Sequence, residues 1–178
     1  MPRNIEIKAR IESVASLLPK VVAISDSGPT KIEQDDTFFQ CGSGRLKLRA
    51  FSPSSGELIF YRRPDELGPK ESFYLIAPTS APDQMREVLS CAYGEIGCVH
   101  KHRTLFLAGR TRIHLDKVEA LGEFLELEVV LANDEPAGEG VRTAHHVLAE
   151  LGIAANQLIE GAYLDLLLKP ADQDRAKG

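Results

Sequence analysis

The segment Arg45-Leu46-Lys47-Leu48-Arg49 alternates basic and apolar residues. Because successive side chains of a β-strand point to opposite faces, its three cations share one face and its two leucines share the other. Turn-forming residues border the segment, with Cys41-Gly42-Ser43-Gly44 before it and Ser52-Pro53-Ser54-Ser55-Gly56 after it. The pattern therefore predicts a strand, joined to its neighbours by hairpins, that has one ionic and one apolar face.

Working outward from these turns, we predict eight strands and four helices. The strands cover residues 4–10, 34–41, 45–51, 57–63, 71–78, 97–107, 111–118 and 123–131. One helix begins after Ser13 and contains Pro19, and the others cover residues 82–93, 139–151 and 157–168. The regular turn spacing is typical of an antiparallel meander, which indicates an α+β fold.

Several of the predicted strands carry an ionic face. Glu6 and Lys8 alternate with isoleucines, and Glu126 and Glu128 flank Leu127. A sheet whose charged face lies in water is the commonest cause of such alternation. Here, however, some faces are almost purely basic and another is purely acidic, and clustered like charge destabilises neighbouring strands unless opposite charge lies between them. A bound polyanion with a metal would supply that charge, and a closed eight-stranded barrel would have room for one small ligand.

Composition limits the possible classes of protein. The chain has 178 residues, 43% of them hydrophobic, with 21 basic and 26 acidic residues and a net charge of −5. We expect one domain over residues 1–170 with a disordered tail over 171–178, and no specific nucleic-acid partner. No apolar run is long enough for a membrane span or a signal peptide, so we expect a cytoplasmic monomer or homodimer with no membrane partner.

The order of these segments resembles the CYTH, or triphosphate tunnel metalloenzyme, superfamily from about residue 4 to residue 168. The segments that carry the resemblance are Ile5-Glu6-Ile7-Lys8, Arg45-Leu46-Lys47-Leu48-Arg49, Tyr61-Arg62-Arg63-Pro64-Asp65, Lys101-His102-Arg103, Ile113-His114-Leu115-Asp116 and Gly122-Glu123-Phe124-Leu125-Glu126-Leu127-Glu128. Within the superfamily, the sequence is most similar to the class IV adenylyl cyclase branch, through Tyr61 to Asp65, Gly68-Pro69 before Lys70, and the ending Gly161 to Leu167.

The resemblance implies an eight-stranded antiparallel tunnel with helices packed outside. In such a tunnel, basic residues hold a triphosphate substrate and acidic residues hold Mg²⁺ or Mn²⁺. Alternation and family match together give the predicted substrate-binding residues: Lys8, Arg45, Lys47, Arg49, Arg63, Lys101, Arg103 and Arg112. The predicted metal ligands are Glu6, Glu126, Glu128 and Asp116, of which Asp116 could instead orient an arginine. The predicted catalytic residues are Glu6, Lys8, Glu126 and Glu128.

Three functions are compatible with this pattern. The leading hypothesis is a divalent-metal-dependent hydrolase of a small triphosphate, whether inorganic triphosphate, a nucleoside triphosphate or thiamine triphosphate. The alternative is an adenylate cyclase that converts ATP to cyclic AMP and pyrophosphate. A third possibility is a polyanion-binding protein without turnover, because Asn4 stands where the family signature Glu-x-Glu-x-Lys has its first glutamate. The pattern leaves open whether His114 faces the tunnel, while Arg62 should point away from it.

Overall fold

An antiparallel β-sheet closes on itself in the computed structural model, which describes residues 2–169. The strands are β1 (Arg3–Arg10), β2 (Ser27–Phe39), β3 (Arg45–Ser52), β4 (Ser55–Arg62), β5 (Lys70–Thr79), β6 (Glu95–Ala108), β7 (Thr111–Val118), β8 (Gly122–Val130) and β9 (Leu158–Ile159). They are ordered β5-β4-β3-β2-β6-β7-β8-β1, pairing of β1 with β5 completes the ring, and β9 adds to β1. The predicted eight-stranded tunnel is confirmed. The tail predicted over 171–178 lies outside the described residues.

Four helices lie outside the sheet: α1 (Val14–Ile24), α2 (Pro82–Tyr93), α3 (Ala137–Leu151) and α4 (Tyr163–Leu168). The helix α1 begins where predicted because the Ser13 hydroxyl accepts a 3.0 Å hydrogen bond from the Ser16 backbone amide. It contains Pro19, as expected, and α2 has the predicted bounds. None of the helices described is long and apolar enough to cross a membrane.

The strands separate apolar from ionic side chains, as alternation requires. The outward apolar side chains of β1, β7 and β8, including Ile7, Leu115 and Leu127, are completely or almost completely buried beneath α1 and α3. A smaller apolar cluster, which includes Tyr163 and Leu164 of α4 together with Phe38 and Phe124, caps one end of the barrel. The larger apolar cluster lies outside the ring, so many inward positions carry polar groups, although Phe38, Ile59, Tyr61 and Val99 also line the interior.

Two predicted boundaries were wrong by more than two residues. The last helix was expected over residues 157–168, but a short 3₁₀ turn and β9 occupy residues 155–159, and α4 begins only at Tyr163. Gly161, with φ of +78°, separates the two segments, and the Asp165 carboxylate accepts a hydrogen bond from the Ala162 amide at the new helix start. The strand β2 begins at Ser27 rather than at residue 34. In the sequence, Gly28-Pro29 indicated a turn, but the structure has only a register shift there, and pairing with β6 resumes at Thr30.

Candidate functional site

The ring of strands surrounds a cavity of about 390 Å³, lined by inward side chains from all eight strands of the barrel. This volume lies in the usual range for small-molecule sites. Ala162 and Tyr163, at the start of α4, line one end of the cavity, which we call the closed end. The opposite end, where Ile32, Phe51 and Arg112 line the cavity, is called the mouth.

One side of the cavity, which we call the basic wall, is formed by Lys47 and Arg49 of β3 and by Lys101 and Arg103 of β6. A single carboxylate, Asp36 of β2, lies among three of them. Its oxygens accept hydrogen bonds from Lys47 Nζ at 2.8 Å and from Arg49 Nε and Nη2 at 2.7 and 2.8 Å. Lys101 Nζ lies 3.8 Å from Asp36 Oδ2. Asp36 therefore holds three cations in place on the inner face.

Burial and charge together set the protonation of this wall. Burial raises the pKa of Asp36, but Arg49, Lys47 and Lys101 outweigh it and hold that pKa well below its usual value. Burial and the charge of Arg49 lower the pKa of Lys47 to about 8, although Asp36 opposes the shift. Burial and Arg103 likewise lower the pKa of Lys101 well below its usual value. An additional negative charge would therefore stabilise the charged forms of the lysines on the basic wall.

The opposite side, which we call the acidic wall, is formed by Glu126 and Glu128 of β8 with His114 of β7. The register sets His114 directly opposite Glu126. One ligand atom from each of the three side chains lies within 4.8 Å of the other two. His114 is buried and faces the cavity, and its Nδ1 has no hydrogen-bond partner among the described residues.

This donor set fits a divalent cation. Two carboxylates supply the oxygen ligands that Mg²⁺ and Mn²⁺ favour, and an unpartnered imidazole nitrogen is a further donor. Burial raises the pKa of Glu126, but Lys8 and Arg103 hold it well below its usual value, so the carboxylate is ionised and available as a ligand. Lys8 Nζ lies 3.0 Å from Glu126 Oε2, and Arg103 Nη2 lies 3.2 Å from Glu126 Oε1.

Arg103 joins the two walls and connects them to the closed end. Its guanidinium donates two hydrogen bonds to Asp116, at 2.8 and 2.7 Å, besides its contact with Glu126. The Tyr163 hydroxyl donates a 2.8 Å hydrogen bond to the same Asp116 carboxylate. Lys8 Nζ lies 4.0 Å from the centre of the Tyr163 ring, which provides a cation–π contact. The start of α4 is therefore part of the ionic network of the cavity.

Two predicted metal ligands lie outside the His114–Glu126–Glu128 cluster. Glu6 contacts Arg63, whose guanidinium also donates a 2.8 Å hydrogen bond to the Gly161 carbonyl. Asp116 is completely buried and bound to Arg103, which matches the alternative of orienting an arginine rather than holding a metal. Neither carboxylate brings an oxygen into the group that His114, Glu126 and Glu128 form, so the structure does not place these two with the other two.

Most of the predicted substrate-binding residues do come together. The cavity is lined by Lys8, Lys47, Arg49, Arg63, Lys101, Arg103 and Arg112. Arg45 is not among the lining residues and instead donates hydrogen bonds of 2.9 and 2.7 Å to Asp165 of α4. It thereby fastens the helix that covers the closed end. Arg62 is exposed on the outer face, as expected.

Sequence reasoning missed Asp36 and Tyr163. Alternation in β2 groups Asp36 with Gln34 and Phe38, which share the inner face and all lie in the predicted strand over residues 34–41. No local pattern marks Tyr163, because its role depends on α4 folding back over the barrel end. Asn4 was noticed only as a departure from a signature. It is buried, faces the cavity, and its Oδ1 has no hydrogen-bond partner among the described residues.

Solved structures share this architecture. The PH1012 protein of Pyrococcus horikoshii OT3 is 21% identical with a TM-score of 0.80, over 92% of this chain and 98% of that one. A candidate adenylate cyclase of Vibrio parahaemolyticus is 20% identical with a TM-score of 0.72, over 92% of this chain and 97% of that one. HpAC1 of Hippeastrum, a candidate adenylyl cyclase with a dominant triphosphatase activity, is 15% identical with a TM-score of 0.63, over 91% of each chain.

These likenesses show the fold. None of the curated proteins matches the sequence. The model of the CYTH domain family, in contrast, matches residues 2–163, which is nearly the whole described chain. That match agrees with the closed antiparallel ring and its ionic interior, and the chain therefore belongs to the CYTH family.

Proposed function

We propose that this protein is a divalent-metal-dependent phosphohydrolase that acts on a small triphosphate compound bound in the tunnel. The observation that carries the proposal is the pairing of two walls within one cavity. Lys47, Arg49 and Lys101 face a single carboxylate, while the cluster of His114, Glu126 and Glu128 lines the other side. A polyanion and a divalent cation complement these two sides.

The basic wall would bind and position the phosphates. Arginine offers a planar fork for two oxygens, whereas lysine offers a compact point charge. Arg49 and Arg103 are already oriented by bidentate contacts to Asp36 and Asp116, so little side-chain freedom is lost when an anion arrives. Phosphoryl transfer needs mainly positioning and charge neutralisation, which fixed cations supply.

The acidic wall would hold the cation. Glu126 and Glu128, with His114 as a further donor, would bind Mg²⁺ or Mn²⁺. When bound, such an ion neutralises phosphate charge and orients the attacking oxygen. Lys8 keeps the Glu126 carboxylate ionised, and Arg112 lies 3.2 Å from Glu128. The likeness to HpAC1, which has a dominant triphosphatase activity, supports hydrolysis as the reaction.

The test is phosphate release from tripolyphosphate, ATP and thiamine triphosphate with Mg²⁺ or Mn²⁺. We expect release that stops when the metal is chelated. The double variant Glu126→Gln, Glu128→Gln should lower turnover at least about 100-fold, a typical loss when stabilisation of transition-state charge is removed. Glu87→Gln is the matched control, because Glu87 is exposed on α2, outside the barrel, and should keep wild-type turnover.

Wild-type turnover by the double variant would refute the assigned metal ligands. If tripolyphosphate binds but no substrate releases phosphate with either metal, the protein is a polyanion-binding member of the family rather than an enzyme. Calorimetry with tripolyphosphate separates these outcomes, because it detects binding without turnover.

Adenylate cyclase activity is the second candidate, supported by the fold shared with the Vibrio parahaemolyticus protein and by the Tyr61-Arg62-Arg63-Pro64-Asp65 segment. In that reaction the ribose 3′-hydroxyl attacks the α-phosphorus of ATP and expels pyrophosphate. Chromatography of the products formed from ATP distinguishes the two reactions. Cyclic AMP with pyrophosphate would establish the cyclase, and ADP with phosphate would establish the hydrolase.

A further inference from the structure

Part of the strand β2 has a neighbouring strand on one side only. It pairs with β6 along most of its length, but it pairs with β3 only from Asp35 onward. Residues 30–34, which we call the free edge, therefore have β6 on one side and none of the described strands on the other. Thr30, Lys31 and Glu33 are exposed. A regular strand with an open side presents unpaired N–H and C=O groups, which can pair with a further strand.

The surface beside the free edge has space for such a strand. A groove of about 440 Å³ is bordered by Glu33 and Gln34 of β2 and by residues 50–53 at the end of β3. The groove lies where the pairing of β2 with β3 has stopped. An added strand could therefore enter the groove beside Gln34 without displacing β3.

The free edge is complementary to a reversed copy of itself. Ile32 is its central residue, so antiparallel pairing about a two-fold axis sets Ile32 opposite Ile32 of a second copy. Lys31 then lies opposite Glu33 of the second copy, and Glu33 opposite its Lys31. Opposite charges that face each other across two strands stabilise the pairing. Edge strands often carry charges that discourage pairing, but this alternation favours one partner, the same strand running in the opposite direction.

A buried polar atom supports the same register. Gln34 is 5% exposed, and its Oε1 has no hydrogen-bond partner among the described residues. Its side chain lines both the tunnel and the groove beside the free edge. In the antiparallel register, Thr30 of the second copy lies opposite Gln34 and brings a hydroxyl donor to it. A buried acceptor without a partner costs free energy, and the pairing would remove that cost.

We propose that two copies of this protein associate through their free edges, so that β2 of each barrel extends the sheet of the other. Pairing about Ile32 forms about four to six backbone hydrogen bonds, depending on which residues direct their amides toward the open side. It also joins Lys31 to Glu33 twice. The same surface is used by both copies, so the assembly closes at a dimer. The dimer needs no ligand in the tunnel, and it is therefore independent of the proposed function.

The test is the mass of the full chain in solution. Sedimentation velocity over a series of protein concentrations should show a monomer–dimer equilibrium. Lys31→Glu and Glu33→Lys each set like charges opposite one another twice in the dimer, so each should raise the dissociation constant of the dimer at least about tenfold. The double variant Lys31→Glu, Glu33→Lys restores opposite charges in the same register and should return the constant to near its wild-type value.

Two further variants separate this register from a general effect of charge. Glu12→Lys is the control, because Glu12 is exposed in the turn between β1 and α1 and its reversal should leave the dimer intact. Thr30→Val keeps the shape of the side chain but removes the hydroxyl that would reach Gln34. It should raise the dissociation constant about fivefold, the scale of two neutral hydrogen bonds.

Three results would overturn the proposal. The first is a wild-type protein that stays monomeric at every concentration. The second is a dimer that neither single charge variant weakens, because its interface would then lie on another surface. The third is a dimer that both single variants weaken but the double variant does not restore, because Lys31 and Glu33 would then not face each other.

Discussion

The two walls of the tunnel hold similar charged residues but balance them differently. On the acidic wall and beside it, each carboxylate has its own cation: Glu126 with Lys8, Glu128 with Arg112, Glu6 with Arg63 and Asp116 with Arg103. On the basic wall, Asp36 alone faces Lys47, Arg49 and Lys101. The surplus of positive charge therefore lies on the β2, β3 and β6 side.

This difference shows that charge balance, rather than the number of charged side chains, identifies the anion site. A buried ion pair whose partners satisfy each other gains little from a ligand, whereas buried cations that share one carboxylate remain incompletely compensated. The acidic wall would need only a cation placed among its carboxylates.

The largest expected effect comes from removing the charge at the centre of the basic wall. Asp36→Asn leaves three buried cations without their carboxylate, and loss of one partner of a buried ion pair costs about 3–5 kcal/mol. We expect the free energy of unfolding to fall by about that amount in urea titrations. Tripolyphosphate should restore much of the loss, because it binds the folded state and replaces the missing negative charge.

Asp35→Asn is the control for this variant. Asp35 is adjacent but faces outward, 3.7 Å from Arg86 and 3.5 Å from His100, and exposed pairs contribute about 0–1 kcal/mol. Its loss should be small, and tripolyphosphate should stabilise it no more than the wild type. Equal stabilisation of both variants by tripolyphosphate would contradict the inferred surplus of positive charge on the basic wall.

A smaller effect follows from the lowered pKa of Lys47. Because that pKa is about 8, the ligand-free protein loses this cation as the pH rises through that value, and KM for a triphosphate should increase. Lys101, whose pKa is also lowered, acts in the same direction. The stability of the ligand-free protein responds oppositely. Between about pH 8 and the ordinary lysine pKa of 10.5, Lys47 is protonated in the unfolded state but mostly neutral in the folded state. The contribution of Lys47 to the free energy of unfolding therefore grows as the pH rises through this range.

The measurement is KM against pH, from about pH 7 to 10, beside urea unfolding of the ligand-free protein over the same range. Lys47→Arg should flatten the KM profile, because a guanidinium keeps its charge throughout this range. A wild-type KM that does not change with pH would mean that the basic wall does not set affinity.

The sequence could predict those features of the site that depend on neighbouring residues in the chain, but not those that depend on contacts between distant residues. Alternation over five residues was enough to place Lys47 and Arg49 on one face, because strand periodicity is local. Arg45 shares that face but lies at the closed end, where Asp165 of α4 occupies it. That contact joins residues 120 positions apart in the chain, and no local pattern records it.

The inward orientation of Asp36 was missed for a related reason. Two aspartates stand side by side at 35 and 36, and only the register of β2 decides which of them faces inward. The predicted strand over residues 34–41 held both aspartates, but Phe38 and Phe39 also stand side by side, so alternation alone did not show which face was inward. The family resemblance supplied the tunnel and its two kinds of charge, but not the carboxylate that organises the basic wall.

The smallest expected effect concerns the departure at Asn4. This residue faces the cavity two positions from Glu6, which the register sets opposite Glu128, and its buried Oδ1 has no hydrogen-bond partner among the described residues. Asn4→Glu adds a carboxylate beside the acidic wall, and more ligand charge strengthens divalent-cation binding. We expect the Mn²⁺ concentration for half-maximal turnover to fall by about threefold to tenfold.

Asn4→Gln separates charge from size, because it adds the same side-chain length without a negative charge. It should leave the metal requirement close to that of the wild type. If Asn4→Glu instead raises the Mn²⁺ requirement, the new carboxylate repels its neighbours without sharing an ion with them. The carboxylates of the acidic wall would then be neutralised by their own cations, as Glu6 and Asp116 are, and would not form a metal site. The two walls would then differ only in the surplus cations of the basic wall.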